Sequence, residues 1–111
     1  MARGIHLNLG GEGELPGVIN QQGPWVLSPN WFCSRDGRTF QQLVDDGHVF
    51  LICPNIPLPL PDDSVDVVYT NGVPLDRVTH VGPGVQSSEI KRILKPGGQW
   101  IKDGRPEWNK P

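Results

Sequence analysis

A chain of 111 residues suits one small domain, and a net charge of −2, with Lys and Arg scattered, leaves no basic footprint for a nucleic acid. Hydrophobic residues make up 36%, so the core is small, while the 14 Gly and 12 Pro sit between apolar runs and read as turns. No stretch is long and apolar enough to span a membrane, and the opening MARGIHLNLGG lacks the apolar region of a signal peptide, which together read as a cytoplasmic protein. Cys33 and Cys53 fit no close-spaced zinc or redox motif. Two reduced thiols are the reading for them, and a single disulfide is the alternative.

In chain order, Ile5-His6-Leu7-Asn8-Leu9 alternates apolar and polar and meets Gly10-Gly11, which predicts a strand ending in a tight loop. Val18-Ile19-Asn20 predicts a second short strand. Gln21 to Arg38 reads as a loop pinned by Trp25, Trp31 and Phe32, with a short strand at Trp25 to Leu27. Phe40, Leu43 and Val44 have helical spacing, with Thr39 or Asp36 as the cap and Gly47 as the stop. His48 to Cys53 predicts a buried strand, and the four prolines from Pro54 to Pro61 exclude both helix and central strand. Val65 to Thr70 is β-branched and bounded by turn residues, hence a strand. A loop with one helical turn near Leu75 to Val78 follows. Ser87 is placed as the cap of a helix with Glu89 in its first turn and an Ile90, Ile93, Leu94 stripe, stopped by Lys95-Pro96-Gly97-Gly98. Gln99-Trp100-Ile101 begins a last strand, and 103–111 reads as a polar tail behind an ordered core of 5–102. Strands alternating with helices or long loops indicate a single-domain α/β fold with a mostly parallel sheet.

Three segments carry any chemistry. The glycine loop Gly10 to Gly13 could bring backbone N–H groups close to a nucleotide, although it lacks a full G-x-G-x-x-G and a Walker lysine, and Pro16-Gly17 interrupts any following helix. LPLPDDSVDVVYT, Leu58 to Thr70, is a rigid lead-in, an aspartate turn and a buried strand. SSEIKRILKPGGQWI, Ser87 to Ile101, is a helix, a break and a strand. In this order they resemble the class I S-adenosylmethionine-dependent methyltransferases, in particular the methyltransferase type 11 domains. LNLGGEG is similar to an opening LNLGCG, LPLPDDSVDVVYT to an LPFPD-x-S turn and strand, and EIKRILKPGG to the helix that ends in K-P-G-G. The likeness spans Leu7 to Ile101.

The resemblance implies a small Rossmann-like sheet with S-adenosylmethionine over the carboxyl ends of the strands. Gly10, Gly11 and Gly13 would approach the methionine part, Gln21 or Gln22 the ribose, and Asn55 with Ile56 the adenine. Thr70 and Asn71 would face the reactive centre, and His80, beside Asp76 and Thr79, would be the general base. His6 and His48 read as structural. The departures fall on the cofactor positions: Glu12 stands where a small residue is usual, with its carboxylate available to the cofactor's amino group or sulfonium. Gln replaces the ribose-binding acid, and Asn55 or Pro54 replaces the adenine-side aspartate. The helix before the first strand and the sixth and seventh strands are missing. Methyl transfer is therefore one expectation. Another is an effector module of a bacterial polymorphic toxin, since LNLGGEGELPGVINQQ looks like the start of methyltransferase-like modules at the ends of such proteins. Such a toxin would act on a nucleotide, a cofactor or RNA and would be neutralised by an immunity protein. A third is an inactive binding domain. For all three, an open sheet edge beside the last strand predicts homo-oligomer formation.

Overall fold

The structure, a computed structural model, describes residues 4–111, so the first three residues of the opening stretch lie outside it. The strands in chain order are β1 (His6–Leu9), β2 (Ile19–Gln22), β3 (Val49–Ile52), β4 (Val65–Thr70), β5 (Val78–Thr79), β6 (Gly82–Pro83), β7 (Leu94–Lys102) and β8 (Arg105–Asn109). The helices are α1 (Phe40–Asp45) and α2 (Ser87–Ile93), with a 3₁₀ turn at Pro24–Leu27. Six strands form one sheet in the order β3-β2-β1-β4-β7-β8, parallel except for the β7–β8 pair, and β5–β6 is a separate antiparallel hairpin. This is an α/β architecture with few helices, as the alternating pattern predicts.

Alternation along β1 divides the interior in two. Leu7 and Leu9 join Val68, Trp100, Leu58, Val85, Ile90 and Ile93 in the apolar core. Asn8, between them, points the other way and is fully buried among polar groups. On that side Phe40 of α1 meets Phe50 of β3 edge to face at 5.0 Å. Thr39 caps α1 through a reciprocal capping box with Gln42, which resolves the choice between Thr39 and Asp36.

The two sequence motifs, Leu58 to Thr70 and Ser87 to Ile101, are fastened to each other. The Glu89 carboxylate accepts the Leu58 N–H at 2.7 Å. The Arg92 guanidinium donates to the Leu58 and Leu60 carbonyls, to Asp62 and back to Glu89. The proline-rich segment, unable to build a ladder of its own, is thereby held against α2 with Leu58 buried beneath it.

Several local expectations give way to other physics. Trp25 to Leu27 is a 3₁₀ turn because Pro24 at its start fixes a helical φ. Leu75 to Val78 contains no helical turn, because Leu75 bridges to Val85 and Val78 enters the β5–β6 hairpin. Ser87 is the first helical residue and not the cap: Asp76, across the loop, accepts its N–H at 2.9 Å and its hydroxyl at 2.8 Å. Lys95 to Gly98 is an irregular stretch inside β7, where the pairing with β4 jumps from Val65–Leu94 to Val67–Gln99. Gly98 is needed there, since a Cβ would lie 2.8 Å from the Lys95 carbonyl and 3.0 Å from that of Asp66. The residues expected as a polar tail form β8, so the sheet does not stop at its fifth strand. The edge expected to be open beside β7 is paired, and the sheet ends at β3 and β8. Asp103 and Gly104, both at positive φ, turn the chain. Trp108 is half-buried opposite Trp100, with Lys91 Nζ 5.2 Å over its ring. Both cysteines are buried and free. No described helix is long and apolar enough to cross a membrane.

Candidate functional site

Strand order turns around between β1 and β4, so the chain leaves the carboxyl ends of these neighbours in opposite directions, and such points are where open α/β sheets form ligand crevices. A cavity of about 440 Å³ lies there. Gly10, Gln21, Gln22 and Asn55 line it from the strand ends, Trp25 and Trp31 from the loop after β2, and Val73, Pro74, Thr79, His80, Val81, Gly84 and Val85 from the chain after β4. A second cavity of about 200 Å³ shares Trp25, Asn55 and Val81 with it and adds Ile56. Of the residues singled out in the sequence, Gly10, Gln21, Gln22, Asn55 and His80 come together, with Ile56 next door. Gly11, Glu12, Gly13, Thr70 and Asn71 line neither cavity.

Gln21 and Gln22 are the last two residues of β2, not the start of a loop, and both are buried, 1% and 6% exposed. Gln21 Oε1 accepts the Gly10 N–H at 3.1 Å, and its Nε2 donates to the Cys53 carbonyl at 2.9 Å. Gln22 Nε2 donates to the Gly11 carbonyl, and its Oε1 accepts the Trp25 indole N–H, both at 3.1 Å. A glutamine has one acceptor and one donor group, and in each of these two both groups hold the loops in place.

The glycine loop is similarly turned inward. Gly11 N–H donates to the Asn8 carbonyl, Glu12 N–H to Glu14, Gly13 N–H to Asn20 Oδ1 and Gly10 N–H to Gln21. All four N–H groups that a nucleotide loop would offer thus have partners within the protein. Glycine at 11 answers to packing, since a Cβ there would lie 2.4 Å from Asn20 Oδ1 and 2.7 Å from Asn8 Nδ2. Glu12 faces away from the cavity, its carboxylate accepting the Ser34 hydroxyl at 2.6 Å.

Under the loop lies a polar cluster. Glu14 Oε2 accepts from Asn8 Nδ2 at 2.6 Å and from Asn71 Nδ2 at 2.9 Å. Burial pushes its carboxyl upward, but the hydrogen bonds from Asn71, Asn8 and the Glu12 N–H outweigh burial and hold it below the usual glutamate range. Asn8 Oδ1 has no hydrogen-bond partner among the described residues. Asn71 is therefore bound to Glu14 below the loop. Thr70 is buried, with its hydroxyl accepting the Trp100 indole N–H at 2.9 Å. Neither of these two catalytic candidates faces the cavity. His80 does, from the exposed tip of the β5–β6 hairpin, and it is the one titratable side chain among the described residues lining either cavity.

Sequence reasoning passed over most of the cavity wall. The sequence marks Trp25 and Trp31 only as pins for a loop, and nothing in it marks Val73, Val81 or Val85. The available signal is two tryptophans, Trp25 and Trp31, in a turn-rich stretch with too few apolar partners to form a core of its own. Among the described residues no group of His, Cys, Asp and Glu is arranged to hold a metal ion. No family model matches the chain, nor does any curated protein or solved structure.

Proposed function

We propose that the chain is a small-molecule-binding domain with a methyltransferase-like, Rossmann-like sheet, and that its cavity holds the nucleoside end of S-adenosylmethionine or a related adenosyl compound. The observation that carries this reading is the cavity itself. Its volume of about 440 Å³ falls in the range of ligand sites, and it opens where the strand order reverses. Aromatic and aliphatic walls with Asn55 and His80 suit a purine ring. The lining fits the methionine end less well. The backbone N–H groups of the loop are engaged internally, and among the described residues no Lys or Arg lines the cavity to meet a carboxylate.

Bound S-adenosylmethionine would supply an activated methyl group, and methyl transfer depends mainly on positioning. What the chain's own side chains offer is a shape for the ring, an acceptor on Asn55 and one imidazole. Binding without catalysis is the second reading, favoured by the internal engagement of Thr70 and Asn71. Calorimetric titration with S-adenosylmethionine, S-adenosylhomocysteine and adenosine tests the proposal. Micromolar binding is expected, with adenosine within about tenfold of the larger ligands because their amino-acid end lacks partners. Absence of heat for all three at millimolar concentration rules the proposal out.

A further inference from the structure

Trp25 is held from two sides. Its indole N–H is fixed by Gln22 Oε1, itself buried in β2. The six-membered ring backs directly onto Gly23, where a Cβ would lie 2.0 Å from Cζ3, 2.2 Å from Cη2 and 2.5 Å from Cε3. Clamped in this way, the ring forms part of the wall common to both cavities, together with Asn55 and Val81. Asn55 is also oriented. Its Nδ2 donates to the Pro83 carbonyl at 2.9 Å, which leaves Oδ1 as an acceptor with no donor among the described residues. The Thr79 hydroxyl is occupied within the hairpin, donating to the Gly82 carbonyl and accepting the Val81 N–H. Among the described residues, no Lys or Arg lines either cavity.

We propose that Trp25 is the stacking surface of a site for uncharged planar heteroaromatic rings bearing an N–H donor, with Asn55 Oδ1 as its acceptor and with no subsite for phosphate. A pre-positioned indole gives contact area with little loss of side-chain freedom, and stacking on an aromatic ring accepts any planar base. Binding a phosphate is favoured by Lys or Arg side chains and by the open N–H groups of a glycine loop; among the described residues the wall has no Lys or Arg, and the N–H groups of Gly10 to Gly13 are engaged internally. The inference rests on the reading that the cavity is a ligand site, but not on the ligand being adenosyl.

The test is titration of adenine, adenosine, adenosine monophosphate, uracil and nicotinamide, followed by heat and by tryptophan fluorescence, on the full chain and on Trp25→Ala, Trp25→Phe and Gly23→Ala. Circular dichroism identifies any variant that fails to fold, and Trp25→Phe keeps the test open if Trp25→Ala does. Expected are a loss of roughly tenfold or more for Trp25→Ala and a smaller one for Trp25→Phe. Gly23→Ala should also weaken binding, because it displaces the ring. The fluorescence change should shrink in Trp25→Phe to the part contributed by Trp31, which also lines the cavity, while heat persists, and the monophosphate should bind no tighter than adenosine. Unchanged affinity in the Trp25 variants overturns the stacking role while leaving the adenosyl reading standing. Trp25-dependent binding of uracil or nicotinamide without binding of adenosine does the reverse. A monophosphate that binds tenfold tighter than adenosine overturns the exclusion of phosphate, and silence across the whole panel overturns the heteroaromatic-ring site, with the adenosyl reading decided by the titration of S-adenosylmethionine and S-adenosylhomocysteine.

Discussion

Leu7 and Asn8 are neighbours in one strand, equally deep, and they face two different interiors. Leu7 meets hydrocarbon, in a core closed by α2 and by Trp100. Asn8 meets Asn20 and Glu14 under a glycine loop. Burial of apolar area stabilises in proportion to the area and needs no particular geometry. A buried amide stabilises only if its partners stand where it points. The first interior therefore holds the sheet together, while the second holds one loop in one shape. The candidate site lies at the rim where the two meet.

The comparison can be broken in steps. Leu7→Ala should have the largest effect, about 2–5 kcal/mol from lost burial and the cavity left behind, read as a lower urea midpoint with an unchanged slope. A loss below about 1 kcal/mol would mean that the apolar side does not dominate. Glu14→Gln comes next, at about 1–3 kcal/mol, because three donors converge on an acceptor that is weakened by losing its charge and one oxygen. Its pH dependence gives a sharper reading. A carboxyl held below its ordinary value contributes in full above the unfolded value of about 4.3 and loses that contribution as pH falls through the lower folded value. The stability gap between the wild type and Glu14→Gln should thus stay level from pH 7 to about pH 5 and narrow below it. Asp36, Asp66, Asp76 and Glu89 are also held low, but they are common to both proteins and drop out of the difference. A gap that widens in acid would refute the account of Glu14. Thr39→Ala, outside both interiors, should cost least, about 1 kcal/mol for one lost cap. If chemical denaturation gave it a larger loss than Glu14→Gln, α1 would matter more than the polar cluster.

What the sequence discloses divides along the same line. β1, β4 and α2 are legible because alternation and helical spacing record apolar burial directly. The pairing of the Leu58 and Ser87 motifs is visible as a resemblance, and its physical cause is the Arg92 and Glu89 clamp. β8 escapes the reading because an edge strand with one inward residue, Trp108, leaves almost no apolar trace. The signal that was there is Asp103-Gly104, a hairpin turn between Lys102 and Arg105. The site is harder still. A glycine that clears Asn20 and a glycine that clears a nucleotide are the same letter, and a glutamine tied to a neighbouring loop looks like one that awaits a ribose. Direction of a side chain, and whether its partners are internal, is settled by long-range packing that no local pattern contains.

β2 shows one consequence of those amides. Its sequence, Ile-Asn-Gln-Gln, has a single apolar residue, so hydrophobic patterning cannot choose how it aligns with β1 and β3, and strands of that kind are prone to slip. Asn20 reaches the Val49 carbonyl, Gln21 the Gly10 N–H and the Cys53 carbonyl, and Gln22 the Gly11 carbonyl. Sliding β2 by one residue would turn each of these side chains to the opposite face and leave it without its acceptor. The amides are keys cut for a single alignment, and through Gln22 the same alignment also fixes the position of Trp25.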